Sequence, residues 1–247
     1  MSLTGKTVVV TGVLQGIGRA VLDRFVKEGA FVFACCQRPD ESFSAHVAEL
    51  TGQYGDVVVP VYFDLLDQQS IRSAVKAIMA AKRPVNGLVN VAGCAMDALF
   101  PMVTLEQMHK VFEINFFSQI IFTQYIVKLM MRAGGGSVVS ISSVTALDGN
   151  KGQLVYGASK AAWISATRTM SIELGPAGIR VNAIAPGVIL TPMTKDLVET
   201  ALKPKIGKTS LGRIGQVEEI AATAEFLVSD ASSFVTGQIV RVDGGLN

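Results

Sequence analysis

A doubly wound α/β fold with a seven-stranded parallel sheet is predicted for this chain by three observations. Short apolar runs alternate with segments of helical period from end to end. A glycine-rich turn joins the first run to the first helical segment. No repeat, low-complexity tract or Pro/Gly/Ser linker divides the 247 residues, so 1–247 is expected to be one domain. Hydrophobic residues at 49% and charged residues at 17% suit a sheet covered by helices on both faces.

Residues 7–11 (T-V-V-V-T) read as a short buried strand, followed by Gly12, Gly16 and Gly18 in T-G-V-L-Q-G-I-G. A helix-period segment near 17–28 comes next, which completes the strand, turn and helix of a dinucleotide site. Glycine lets the backbone turn tightly and approach a pyrophosphate, and a helix start offers unpaired N–H groups to an anion. Further strands are expected near 30–36, 57–62, 86–90, 136–141, 179–185 and 237–242. The longer helices are expected near 67–81, 104–131, 154–174 and 216–228.

Composition excludes several other classes. The most apolar helical stretch, about 111–131, is interrupted by Glu113, Asn115, Gln119, Gln124 and Lys128, so no membrane span is expected. The chain enters its first strand almost at once, which leaves no room for a signal peptide. Cys35, Cys36 and Cys94 form no C-x-x-C pair, as expected of a reduced, cytoplasmic protein. Cys35 and Cys36, being adjacent on a strand, should point to opposite faces of the sheet. A net charge of +2 does not suggest a nucleic-acid surface. His46 and His109 have no metal-ligand spacing, and no metal site is expected.

Open α/β sheets bind ligands at the carboxyl ends of their strands. Gly12, Asn90, Ser143 and Pro186 all fall at or just past predicted strand ends, so four segments converge on one crevice. Tyr156 and Lys160, in Y-G-A-S-K, share one helix face. A phenol with an ordinary pKa of about 10 exchanges protons poorly at neutral pH, and an adjacent ammonium would lower that value.

These segments resemble the short-chain dehydrogenase/reductase family over nearly the whole chain. T-G-x-x-x-G-x-G matches Thr11 to Gly18, and the family's N-N-A-G appears as Asn90-Val91-Ala92-Gly93. A helix asparagine matches Asn115 in E-I-N-F-F, and Ser143, Tyr156 and Lys160 complete a tetrad. Pro186-Gly187 and the closing V-D-G-G match as well. The resemblance implies a Rossmann-type sheet in the order 3-2-1-4-5-6-7, and within the family it is nearest to the 3-oxoacyl-carrier-protein reductases. It implies that Tyr156 is the general acid in reduction and the base in oxidation. Lys160 would lower the Tyr156 pKa and bond the nicotinamide ribose, Ser143 would polarise the carbonyl, and Asn115 would hold a water in a proton relay. The cofactor contacts implied are Gly12, Gln15, Gly16, Ile17, Gly18, Gln37, Arg38, Asp64, Leu65, Asn90, Ala92 and Gly93. Tyr156, Lys160, Pro186, Gly187, Val188, Ile189 and Thr191 complete them. Asp64 would bond the adenine amino group. Val91, in place of the second asparagine, is expected to alter local hydrogen bonding rather than abolish activity.

Family members that prefer NAD commonly carry an acid at the end of the second strand. Here Cys36 falls at that place, with Arg38 nearby to attract a 2′-phosphate, so NADP(H) is expected ahead of NAD(H). Gln15 stands where many NADP-dependent members have a basic residue. Residues 188–215 are expected to form a flap over the reacting carbon, with Lys195, Lys203, Lys205, Lys208 and Arg213 against Asp196 and Glu199. Such a flap could meet a phosphopantetheine, coenzyme A or an acidic carrier protein, or could equally be a solvated helix face, and the resemblance tips the choice towards a 3-oxoacyl thioester. The alternatives are an NAD(P)-linked dehydrogenase of a steroid, polyol or sugar alcohol, and a catalytically idle dinucleotide-binding subunit. The helices at 104–131 and 154–174 are apolar beyond one sheet-facing stripe, so a second buried face is expected, unless they simply sit deep in the monomer. The resemblance implies a homotetramer or homodimer through these two helices.

Overall fold

Seven strands pair in parallel, in the order β3-β2-β1-β4-β5-β6-β7, in a computed structural model that describes residues 2–195 and 202–246. They are β1 (Thr7–Thr11), β2 (Phe31–Cys36), β3 (Val58–Tyr62), β4 (Gly87–Asn90), β5 (Gly136–Ile141), β6 (Ile179–Pro186) and β7 (Ile239–Val242). The order is the one the resemblance implies, and each strand lies within a residue or two of its expected range. The central strands β1 and β4 are buried along their whole length, while the edge strands β3 and β7 are partly exposed. Continuous apolar runs form the central strands because helices cover both faces of the sheet.

Helices α1 (Gly16–Lys27), α2 (Glu41–Tyr54) and α9 (Val217–Val228) pack on one face. Helices α3 (Gln68–Ala80) and α5 (Ser118–Arg132) and the far end of α7 (Leu154–Leu174) lie against the other. The short α4 (Leu105–Phe112), α6 (Thr145–Asp148) and α8 (Lys203–Ile206) complete the set. Cys36 belongs to the first apolar layer and Cys35 to the second, and both are free thiols, so the expected alternation holds.

Two features depart from the sequence reading. Helix α2 is absent from the helices expected above, and the structure shows why its period is weak. Only Phe43 and Leu50 along it are buried, so most of its turns face outward. Its start is set by Asp40, whose carboxylate accepts the Phe43 N–H at 2.8 Å. The second departure is at 104–131, read as one helix. Thr104 and Gln107 form a reciprocal capping box that starts α4, but the chain then widens into a π-helical turn over Glu113–Phe117 before α5. The widening leaves carbonyls to be taken by side chains: Gln119 Nε2 donates to Ala92, Ile114 and Asn115 oxygens at 2.8, 2.9 and 3.2 Å. Such wide turns often mark functional positions. Among the described residues no helix is long and apolar enough to cross a membrane, and no group of His, Cys, Asp and Glu is arranged to hold a metal ion.

Candidate active site

A crevice of about 760 Å³ runs along the carboxyl ends of the strands. Gly12, Gln15, Gly16, Ile17, Gly18, Gln37, Asp64, Leu65, Ala92, Gly93, Ser143, Tyr156, Lys160, Pro186, Gly187, Ile189 and Thr191 all line it, as expected. Its floor is the turn from β1 into α1. A Cβ on Gly12 would stand 2.9 Å from the Ala92 backbone, and one on Gly18 would stand 2.1 Å from the Gly12 carbonyl oxygen. Gln15 offers no side-chain cap to α1, and its first turn carries no acid, so the N–H groups and the positive dipole end there remain available to an anion. The Arg19 guanidinium fastens the turn from below, donating to the Val13 and Leu14 carbonyls at 3.1 and 2.9 Å. This cradle fits the pyrophosphate of a nicotinamide dinucleotide.

One end of the crevice is built by the tips of β2 and β3. Gln37 Nε2 donates to Asp64 Oδ2 at 2.9 Å, and Asp64 Oδ1 accepts the Leu66 N–H at 2.8 Å. Asp64 lines the crevice with both of its carboxylate oxygens engaged. Cys36 holds the place of the family acid. Burial, reinforced by the Asp40 carboxylate, pushes its thiol up to about 11, so it stays neutral. Arg38 lies on the exposed turn and does not line the crevice, whereas Asp40 does. Asp40 thus adds a carboxylate to the wall at this end of the crevice.

Tyr156 and Ser143 meet at the reacting end. Burial pushes the Tyr156 phenol above its ordinary value, the Ser143 hydrogen bond pulls against this, and Asp97 and Cys94 push further up. Ser143 Oγ in turn accepts the Thr145 N–H at 3.1 Å, which fixes its rotamer. Lys160 is 4% exposed, donates to the Ile141 carbonyl at 2.8 Å and lies 5.9 Å from the Tyr156 ring centre. Burial lowers its ammonium to about 8. Desolvation of the phenol therefore sets the direction of its shift, and what pulls against it is the Ser143 hydrogen bond rather than the expected effect of Lys160.

Asn115 is buried beneath the crevice rather than lining it. Its Oδ1 accepts the Cys94 N–H at 2.8 Å, and its Nδ2 donates to the Cys94 carbonyl and Ser159 Oγ at 2.9 and 3.0 Å. Asn90 also turns inward, donating to Thr123 Oγ1 and Ser140 Oγ at 3.0 and 3.4 Å, so it braces β4 and does not contact the crevice by its side chain. Val188 stands outside the lining as well. The Val91 departure is absorbed by the backbone: the Val91 and Ala92 N–H groups donate to Thr11 Oγ1 at 2.9 and 3.1 Å. Residues the sequence reading did not place in the wall include Asp40, Cys94, Ile114, Ile141, Ser142 and Met193. No spacing signal distinguishes these from ordinary strand-end or loop residues.

The flap is anchored where it leaves β6, through Leu190 N–H to the Gly215 carbonyl at 2.9 Å. Arg213 is engaged by Glu219 at 2.6 Å, which removes it from the excess of flap cations. Burial lowers the Lys205 ammonium below its ordinary value, with Asp97 acting against that shift. Asp196 and Glu199 lie outside the described residues.

Comparison with known proteins agrees with this geometry. The family model described as Enoyl-(Acyl carrier protein) reductase matches residues 12–247. A 3-oxoacyl-[acyl-carrier-protein] reductase FabG of Thermotoga maritima is 40% identical, over 100% of this chain and 99% of that protein. The structure of a short-chain type dehydrogenase/reductase from Mycobacterium ulcerans superposes with a TM-score of 0.93 at 33% identity, covering 99% of this chain and 90% of the other. A Beutenbergia cavernae protein assigned as an NAD(P)-dependent gluconate 5-dehydrogenase, with NADP bound at low occupancy, gives 0.91 at 33% identity, with coverage of 99% and 97%. The chain belongs to the short-chain dehydrogenase/reductase family, NAD(P)-dependent oxidoreductases acting on CH–OH and C=O groups.

Proposed function

We propose that this enzyme reduces the 3-oxo group of an acyl thioester, linked to coenzyme A or a carrier protein, with NADP(H) ahead of NAD(H). The observation that carries the reading is the Tyr156 phenol, buried enough to keep its proton at neutral pH and hydrogen-bonded to Ser143 at the mouth of a dinucleotide cradle. A group that must give a proton to a carbonyl oxygen works best when that proton is in place. Ser143 donates to the substrate oxygen and polarises the C=O bond, and Tyr156 delivers its proton as charge builds on that oxygen. Lys160 keeps a positive charge beside the pair below about pH 8 and is set to bond a ribose hydroxyl. When bound, the nicotinamide supplies the hydride. Asn115 acts as a brace, clamping the Cys94 backbone to α7.

The thioester is favoured by the likeness to the Thermotoga reductase. The likeness to the Beutenbergia protein favours a second reading, a polyol or sugar-acid dehydrogenase. An idle dinucleotide-binding subunit has no use for an intact Ser143 and Tyr156 pair. The exposed apolar run of Leu99, Phe100, Met102 and Leu105, beside a hollow of about 660 Å³ against α7, supports association of copies through α4, α5 and α7. A cytoplasmic location is part of the same proposal.

The test is initial rates with NADPH and NADH against a 3-oxoacyl thioester and an enoyl thioester, and with NADP+ and NAD+ against gluconate. Turnover of the 3-oxoacyl thioester at least tenfold faster with NADPH supports the proposal, and turnover of gluconate alone replaces it. Cofactor choice has its own variant. Asp40→Asn keeps the α2 cap and removes the wall carboxylate, and it is expected to tighten NADPH binding about threefold to tenfold while leaving NADH unchanged. Equal effects on both Kd values would remove Asp40 from cofactor choice.

A further inference from the structure

Helix α7 carries the single tryptophan of the chain, Trp163, three residues past Lys160 and 1% exposed. Its indole Nε1 donates to the Asn115 carbonyl at 2.6 Å. Gln119 Nε2 reaches the same oxygen at 3.2 Å. A carbonyl oxygen has two lone pairs, and here both are engaged. The polar atoms of the Asn115 side chain are already bonded to Cys94 and Ser159. Phe116 packs edge-on against the indole, with ring centres 5.7 Å apart, and closes the remaining flank. The resemblance implies a relay water at Asn115; the indole N–H takes the bond such a water would make.

We infer that Trp163 seals the protein side of Lys160 against water, so that the Lys160 proton is exchanged through the crevice. At the crevice stands Gly93, and a Cβ placed on it would be 3.2 Å from Asn115 Oδ1 and 3.4 Å from Lys160 Nζ. The glycine leaves room for water or a ribose hydroxyl to reach the ammonium. During reduction Tyr156 gives its proton to the product oxygen and becomes a phenolate. The Lys160 ammonium returns a proton to that phenolate and becomes an amine, and the amine takes a proton from crevice water. Trp163 is accordingly a positioning residue, one that touches neither substrate nor cofactor.

The titratable groups facing Lys160 are Tyr156 on its own helix and Cys94 from the loop after β4. Asp97 and, from α4, Lys110 stand behind these two. From β5 and its tip come only the Ile141 carbonyl and the Ser142 and Ser143 hydroxyls.

Two measurements test the seal. In protein labelled with 15N-tryptophan, the single indole N–H resonance should persist for hours after transfer to D2O. Its loss within the dead time would overturn the inference without any variant. The second measurement rests on the oxidoreductase reading: in Trp163→Phe, water reaching Lys160 relieves its desolvation, so the high-pH limb of kcat/KM for carbonyl reduction should move up by about one pH unit. The wild-type limb is expected near pH 8. A folded variant that binds NADPH normally but keeps its limb in place refutes the seal, even if its rate falls. Should the variant fail to fold, or no carbonyl substrate turn over, the indole exchange decides alone.

Discussion

Tyr156→Phe is expected to lower turnover about 10³-fold while leaving the NADPH Kd within about twofold of wild type. The phenylalanine ring fills the same space on α7, so the loss isolates the proton. Ser143 remains held by the Thr145 N–H and keeps its aim at the substrate oxygen. Without the phenol, the developing alkoxide has a hydrogen-bond donor in Ser143 but no acid. Single-turnover rates alongside a fluorescence titration of NADPH would separate the two effects. Turnover within tenfold of wild type would remove Tyr156 from the chemistry.

Gly18→Ala is expected to be the most damaging small substitution in the molecule. The added methyl would stand 2.1 Å from the Gly12 oxygen and 2.7 Å from its carbon, both backbone atoms of the same turn. Neither atom can swing aside as a side chain can, so α1 must lift off the turn or the turn must open. A destabilisation of about 3 kcal/mol follows, at the upper end for overpacking, with a fall in Tm of roughly 10 °C for a domain of this size. Dinucleotide affinity should fall with it, because the displaced N–H groups are those of the cradle. Thermal unfolding with and without NADPH would report both, and a Tm within 2 °C of wild type would show the turn to be slack.

The parts of this site that the sequence announces are those with local periodicity. Tyr156 and Lys160 are one helical turn apart, and the three glycines sit between a strand and a helix, so pattern alone places them. Strand order follows from alternation combined with the family likeness. What the sequence conceals is decided by contacts between distant segments. The Trp163 bond to Asn115 joins residues on different helices, and nothing in A-A-W-I-S marks that indole as a partner of the wide turn. Asp40 enters the wall because α2 begins there, and α2 itself is faint because only two of its side chains are buried. The direction of the Tyr156 shift depends on how deeply the phenol is enclosed, which only the assembled fold determines.

Lys160 ties function to fragility. It is almost wholly buried at the crevice wall, and burial brings its pKa from 10.5 to about 8, so at neutral pH the folded state holds a charge it would be more stable without. The penalty is fully present below about pH 8. Between about 8 and 10.5 the folded chain releases the proton before the unfolded chain does, and stability rises with pH across that window. Lys160→Met should therefore give a protein that is inactive yet harder to unfold at pH 7, with an advantage that shrinks as the pH approaches 10.5. The gain is tempered by the Ile141 carbonyl, which loses its donor. Selection for durability alone would discard this lysine; its presence is the mark of a chain selected for turnover.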